Sequence, residues 1–112
     1  YMYRMDHAVF NAKDDGLLRG LSKLPSEYIR SNVWATFQDD WVAFKMKDMV
    51  NIERLLWAND YPHTDSTWPR SQELLAEHAA GLSDEERHAI LRGNVIDLFS
   101  LPLDRYPAAS AG

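Results

Sequence analysis

The chain has 112 residues, 46% of them hydrophobic and 12% aromatic, and a formal net charge of -5. It is long and apolar enough to build the core of one ordinary domain, which excludes a disordered tail. Charges of both signs are interspersed without a basic stripe, which argues against a nucleic-acid partner, and no stretch approaches the roughly 18 consecutive apolar residues of a membrane span. The chain has no cysteine, which excludes thiolate metal sites, and we expect a soluble, cytoplasmic protein.

The N-terminal third is predicted to contain a helix and a connector. Apolar side chains recur at spacings of three and four over about residues 2–12, which predicts a helix there. Because this pattern is already under way at the first residue, we expect an upstream part of the protein. Gly16, Gly20 and Pro25 argue against one continuous helix, and Ser26 is expected to cap a short helical turn.

The middle of the chain contains two short apolar runs separated by a helical pattern. VWATF, residues 33–37, is β-branched and aromatic, as a strand buried on both faces would be. Asp39 or Asp40 is expected to cap a partly buried helix through WVAFKMKDMV. A second strand is predicted in NIERLLWAND, which ends at Asn59 and Asp60.

A loop follows the second strand and leads into another helix. This helix is predicted to begin at Thr67 or Trp68, with Pro69 near its first position, and to end at Gly81. Its apolar side is expected to contain Leu74, Leu75, His78 and Ala79.

Two further helical segments are predicted near the C-terminus. Ser83 and Glu86 have the spacing of a capping box, and Gly93 is the predicted end of the helix that they begin. Asn94 is expected to cap a last helix, and the proline-containing residues 102–112 are expected to form a flexible tail.

Strands that alternate with helices predict an α/β fold with a parallel sheet, because parallel neighbours need a long crossover connection. Two strands do not complete a sheet that is buried on both faces, since apolar side chains and backbone groups would stay exposed along both edges. The sequence therefore predicts a piece of a larger barrel or a chain that borrows strands from a partner.

The loop LLWANDYPHTDSTWP, residues 55–69, holds the candidate site. Reactive groups of parallel α/β folds collect beyond the carboxyl ends of the strands, and Asp60 lies at that position. A carboxylate there can ligate a divalent cation or take a proton from a metal-bound water. The alternative is that Asp60 stabilises a turn, as aspartate commonly does.

The neighbouring side chains also have two interpretations. His63 either faces a substrate or orients Asp60, or it bonds to its own turn, and Tyr61 and Trp68 either line a pocket or pack at the corner. Asp65 is predicted to cap a turn or the next helix.

Three segments together resemble the C-terminal portion of the amidohydrolase-related family of TIM-barrel metal-dependent hydrolases, relatives of aminocarboxymuconate-semialdehyde decarboxylase. They are LPSEYIRSNVWATFQDD, LLWANDYPHTDSTWP and LSDEERHAILRGNVIDLFSL. The resemblance runs from His7 to Leu101, and it is most specific at the triplet Asp60-Tyr61-Pro62 and at the pair Gly93-Asn94.

The resemblance implies that residues 1–101 are the C-terminal segment of a (β/α)8 barrel, with VWATF as strand seven and RLLWAND as strand eight. It implies that Asp60 ligates a divalent metal ion, with zinc expected, and accepts a proton, and that Tyr61, His63 and Trp68 contact a small carboxylate or carbonyl substrate in a hydrolase or a non-oxidative decarboxylase. The family's His-x-His pair is absent from this sequence, so the remaining ligands are expected in a missing N-terminal part of the barrel.

A second hypothesis remains open beside the enzyme. The chain is then a non-catalytic α/β module, stable as a homo-oligomer or docked on a partner chain, in which the site-like loop is structural. Association is expected under both hypotheses, because two strands alone leave the sheet incomplete.

Overall fold

The computed structural model describes residues 1–12 and 20–102. The chain divides into two compact units, Tyr1–Trp34 and Ala35–Gly112. Gly16 of the predicted connector and the predicted flexible tail beyond residue 102 lie outside the described residues. Within the described part of the chain, no helix has the length and apolar character that crossing a membrane requires.

In its described residues, the first unit contains two helices, α1 at Met2–Asn11 and α2 at Pro25–Asn32. The predicted first helix is confirmed. Ser26 lies inside α2 and does not cap it, because Pro25 is the first helical residue, where a missing amide hydrogen costs nothing. The backbone amide of Ser26 instead donates to Asp6 Oδ1 at 2.9 Å and so joins the two helices. Hydrogen bonds from Ser26 hold the pKa of Asp6 below its usual value.

The second unit contains two strands and five helices in the described residues. Its elements in chain order are β1 (Ala35–Phe37), α3 (Trp41–Lys45), α4 (Lys47–Val50), a 3-10 turn (Ile52–Arg54), β2 (Leu55–Trp57), α5 (Ser71–His78), α6 (Asp84–His88), a π-helical turn (Ala89–Gly93) and α7 (Asn94–Phe99).

The two strands pair in parallel, as the alternation of elements predicts. Ala35 lies opposite Leu55, and Phe37 lies opposite Trp57. The parallel pairing confirms the α/β class.

The burial predicted for the first strand is wrong. Ala35 and Thr36 are exposed, and Trp34, which precedes the strand, is 38% exposed. In the described residues the sheet has two strands, so the backbone groups along one edge of β1 lack a partner strand there, and the side chains of Ala35 and Thr36, which point to opposite faces, lack covering elements. β2 differs in this respect, because Leu55 and Leu56 are both buried.

The core of this unit lies between β2 and the helices. Its buried members are Phe44, Leu55, Leu75, Ala79 and Ile90. Full burial of one such large apolar side chain contributes about 1.5–3 kcal/mol. Leu75 and Ala79 confirm the predicted buried side of α5.

The predicted helix over WVAFKMKDMV is divided at Met46 into α3 and α4. Asp40 caps α3, since its Oδ1 accepts from the amide of Val42 at 3.1 Å, and this confirms one of the two predicted caps. The start predicted for α5 is wrong. Pro69 precedes the helix, which begins at Ser71, and Ser71 Oγ lies 2.8 Å from Thr67 Oγ1.

The capping box that begins α6 is confirmed. Glu86 Oε2 accepts from the amide of Ser83 at 2.9 Å, and Ser83 Oγ accepts from the amide of Glu86 at 3.2 Å. The other oxygen of Glu86 lies 2.7 Å from Lys47 Nζ on α4. This ion pair lowers the pKa of Glu86, and the contacts with Glu86 and then Asp48 raise the pKa of Lys47.

The predicted helix end at Gly93 is wrong. Gly93 has helical dihedrals, φ −58° and ψ −51°, and the π-helical turn carries α6 directly into α7. A glycine fits here because a Cβ would lie 3.3 Å from the imidazole Cδ2 of His88. Asn94 is therefore not a cap. Its buried amide donates to the carbonyl oxygens of Ile52 and Leu55, each at 2.8 Å, and fixes the helix to the start of β2.

Candidate active site

The candidate site begins where β2 ends. The amide of Ala58 still donates to the Phe37 carbonyl at 2.9 Å, so the parallel pairing extends one residue beyond the strand. Two residues later Asp60 adopts a left-handed backbone conformation with φ 58°. This conformation is uncommon for a residue with a side chain, although aspartate tolerates it better than most. The chain therefore turns sharply at the residue that the sequence identifies as the candidate ligand.

Asn59 closes the base of the loop that follows. Its Oδ1 accepts from the amide of Tyr61 at 3.1 Å, which forms a local turn at Asp60. Its backbone carbonyl accepts from Ser66 Oγ at 2.7 Å and from the amide of Thr67 at 3.1 Å. These bonds hold both ends of the Asp60–Ser66 segment at the carboxyl end of β2.

Asp60 and His63 form a side-chain pair within this loop. Asp60 Oδ2 lies 3.2 Å from His63 Nδ1, and the side chains are 53% and 66% exposed. The amide of His63 also donates to the Asp60 carbonyl at 2.9 Å, so the turn itself brings the two side chains together. The structure places His63 Nδ1 beside the carboxylate and the amide of His63 on the same turn, and the orienting role stays a prediction.

Nδ1 of His63 has two close neighbours. The amide of Asp65 donates to it at 3.4 Å. Asp60 Oδ2 lies 3.2 Å from the same nitrogen. These two contacts place the His63 ring between the backbone of Asp65 and the carboxylate of Asp60.

Tyr61 and Trp68 contact one another on the surface of the loop. Their ring centroids lie 5.4 Å apart at an interplanar angle of 66°, and both side chains are exposed. Edge-to-face pairing of this kind is favourable beyond the area that it buries. The two rings form one aromatic surface that begins one residue after Asp60.

Four polar residues outside the Asp60–His63 pair occupy the same end of the sheet. Asp65 accepts from Gln38 Nε2 at 2.9 Å, so its predicted capping of α5 is wrong; the helix begins six residues later and leaves the carboxylate available to Gln38. Asp40 caps α3, and Asp39 Oδ1 lies 3.9 Å from His78 Nδ1. Sequence reasoning passed over Gln38, although its position directly after β1 marks the carboxyl end of a strand.

The described residues do not by themselves form a complete metal site. No group of three or more His, Asp or Glu side chains comes together in residues 1–12 and 20–102. A catalytic zinc ion usually takes three protein ligands and an open position, whereas the Asp60–His63 pair offers two donors. Of the other histidines, His7 contacts Asn11 within α1, His78 lies 3.9 Å from Asp39, and His88 lies beside Gly93.

The model of the amidohydrolase family matches residues 9–101, which is most of the chain and includes the whole candidate site. No curated protein sequence matches the chain. The family match covers both strands, the Asp60 loop and the helices from α5 to α7.

Proposed function

The chain belongs to the amidohydrolase family, and we propose that it supplies strands seven and eight of a TIM-barrel enzyme that hydrolyses or decarboxylates a small carboxylate or carbonyl substrate. Membership in the family implies metal-dependent, hydrolase-type chemistry. The aminocarboxymuconate-semialdehyde decarboxylase-like branch is our finer assignment, which rests on the resemblance of the Asp60-Tyr61-Pro62 triplet.

Asp60 is the residue that we propose as a metal ligand and proton acceptor. The observation that carries this assignment is its position, since a left-handed turn directly beyond β2 holds an exposed carboxylate 3.2 Å from His63 Nδ1. Left-handed backbone at a non-glycine residue is found preferentially at functional sites. Carboxyl ends of barrel strands are also where TIM-barrel enzymes place their catalytic groups.

The divalent ion, for which zinc is our proposed identity, would activate a water or polarise a carbonyl in the complete barrel. Its other ligands would come from outside the described residues, since two donors do not complete a site. Within this chain, the 3.2 Å contact between His63 Nδ1 and Asp60 Oδ2 would keep the carboxylate in one orientation. The second oxygen of Asp60 then remains for a proton or for the ion.

Tyr61, Trp68 and His63 are the residues that we propose to contact the substrate. The paired rings of Tyr61 and Trp68 present exposed apolar area close to Asp60. Small-molecule sites combine such apolar walls with a few oriented polar groups. This arrangement favours a small substrate whose carbonyl or carboxylate is directed at Asp60 and whose apolar part contacts the rings.

We propose that β1 pairs with further strands, either in a preceding part of the same barrel or in a second copy of the chain. The support is the exposure of Ala35 and Thr36 on a strand that has one neighbour among the described residues. An exposed strand edge is a template for pairing with another strand.

The test compares Asp60→Asn and Asp60→Ala with a matched control, Glu73→Gln, in the complete protein. Glu73 is an exposed carboxylate on α5 that pairs with Arg70, so the control removes the same charge outside the site. Metal content per chain is measured after purification without chelator. Turnover is measured with 4-nitrophenyl acetate as a probe ester and as carbon dioxide release from a panel of aromatic carboxylic acids.

We expect both Asp60 variants to lose about 10²–10⁴-fold in turnover, the range for removal of a positioned proton-transfer group. Asp60→Ala is also expected to lower metal content, whereas Glu73→Gln changes neither quantity. Wild-type metal content and turnover in both Asp60 variants would refute the proposal. Release of carbon dioxide identifies a decarboxylase, and turnover of the ester without it identifies a hydrolase.

A further inference from the structure

Gln38 joins the two loops that leave the carboxyl ends of β1 and β2. Its side-chain Nε2 donates to Asp65 Oδ2 at 2.9 Å, which is a contact between residues 27 apart in the chain. Its backbone carbonyl accepts from Trp57 Nε1 at 3.0 Å, so the last residue of β2 also holds the backbone of Gln38. One residue thus contacts both the strand that precedes the Asp60 loop and the loop itself.

We propose that Gln38 is a positioning residue for the Asp60–His63 pair, an inference that rests on the function proposed for Asp60. Asp65 follows His63 by two residues, and the amide of Asp65 lies 3.4 Å from His63 Nδ1. Fixing Asp65 therefore fixes the side of the turn that carries His63. His63 in turn contacts Asp60 Oδ2 at 3.2 Å.

The chemistry of the Gln38 amide defines its orientation. A carboxylate accepts hydrogen bonds and cannot donate them when ionised, so the amide nitrogen must face Asp65. Oε1 then points away from Asp65 and is buried without a hydrogen-bond partner in the described residues. An isolated buried acceptor is unfavourable. The hydrogen bond from Nε2 to Asp65 is therefore formed although, among the described residues, it leaves Oε1 of the same side chain without a partner.

Gln38 acts on a part of the loop that the Asn59 bonds do not reach. Asn59 ties the base of the loop through Ser66 and Thr67. The residues between Asp60 and Asp65 are exposed, so packing contributes little to their order. A charge-assisted hydrogen bond from a neighbouring strand end is a specific means of ordering such a segment.

The experiment exchanges the donor and the acceptor in the complete protein. Gln38→Leu removes the donor, and Gln38→Glu places a carboxylate against Asp65. The double variant Gln38→Glu with Asp65→Asn restores one amide and one carboxylate with their positions reversed. Gln72→Leu, an exposed glutamine on α5, is the matched control. Hydrogen exchange of residues 58–70 and kcat and KM for 4-nitrophenyl acetate are measured for each.

We expect Gln38→Leu and Gln38→Glu to accelerate exchange in residues 58–70 and to lower kcat about 10- to 100-fold, the range for a small misplacement of catalytic groups, with KM within about twofold. The double variant should recover most of the lost kcat and exchange protection. A residue with only a general structural role would not show this recovery, because both substitutions would remain.

Wild-type exchange and kcat in Gln38→Leu, or a double variant no better than Gln38→Glu, would overturn the inference. If these results occur while Asp60→Asn abolishes turnover, the role of Gln38 fails and the proposed function stands. Wild-type turnover in Asp60→Asn refutes the proposed function itself, and with it the role of Gln38.

Discussion

Asn94 provides the sharpest test of how the helical part of the second unit is fixed to β2. Its side-chain amide is buried inside a continuous helix and donates to the carbonyl oxygens of Ile52 and Leu55, both at 2.8 Å. Asn94→Ala removes both bonds. It leaves the Leu55 carbonyl, on a residue that is 5% exposed, without this donor.

The expected loss can be worked from these contacts. Two neutral hydrogen bonds contribute about 0.5–1.5 kcal/mol each, and an acceptor left buried without a partner costs about 1–3 kcal/mol. Alanine is the better helix former by about 0.6 kcal/mol, which offsets part of this loss. The free energy of unfolding should therefore fall by about 1.5–5 kcal/mol. Asn94→Asp should cost at least as much, because a carboxylate has no hydrogen to offer either carbonyl.

Urea unfolding by linear extrapolation measures this difference, with Gln72→Ala on the exposed face of α5 as the control. The control should stay within about 0.5 kcal/mol of the wild type, as surface substitutions usually do. An unchanged slope of the unfolding free energy against urea concentration would show that the surface exposed on unfolding is the same in the variant and the wild type. A loss below about 1 kcal/mol in Asn94→Ala would refute the argument that these two bonds hold α7 to β2.

Three further predictions follow from the same unit. The effect of Gly93→Ala on the free energy of unfolding should be more favourable by about 1 kcal/mol in a His88→Ala background than in the wild type, since a Cβ would lie 3.3 Å from the His88 ring. Equal effects in a double-mutant cycle of urea unfolding would contradict this. The lowered pKa of Glu86 and the raised pKa of Lys47 imply that this ion pair contributes its full stability between the two ordinary pKa values, 4.5 and 10.5. The contribution is lost as pH falls through the lowered pKa of Glu86 and as pH rises through the raised pKa of Lys47. Unfolding free energy measured against pH should accordingly fall less steeply toward acid in Glu86→Gln. Ser83→Ala should cost about 1 kcal/mol, measured by thermal unfolding, because it removes one half of the capping box, and an unchanged midpoint would exclude that role.

Contacts between residues close together in the chain could be predicted from the sequence, whereas contacts between distant residues could not. The Ser83–Glu86 capping box and the Asp40 cap depend on residues two or three apart, so their spacing is visible in the sequence. Gly93 and Asn94 have the residue types of a helix end and a helix start, yet the helix runs through both. Gly93 lies against His88 only because the turn between them is π-helical, which no spacing in the sequence indicates. The partners of Asn94, the carbonyls before and within β2, are set by tertiary packing.

The candidate site shows the same division. The position of Asp60 beyond the second strand could be predicted, because strand ends follow from apolar runs and turn residues. The Gln38–Asp65 bond could not, because the two residues lie 27 positions apart and neither belongs to a motif. The burial of the first strand was mispredicted for a related reason. An apolar run indicates that a strand is suited to burial, but the neighbour that covers it must be supplied by other strands.

The two ends of β2 therefore have different physical roles. At its start, the Asn94 amide donates to the Leu55 carbonyl and so fixes α7 to the strand, which serves stability. Beyond its carboxyl end, Asp60 holds a φ of 58°, a conformation that glycine would adopt at lower cost. Aspartate tolerates this conformation better than most residues, so the turn by itself is compatible with Asp60. The carboxylate also lies 3.2 Å from His63, and the metal and proton chemistry that we propose for it adds a role that the turn does not require.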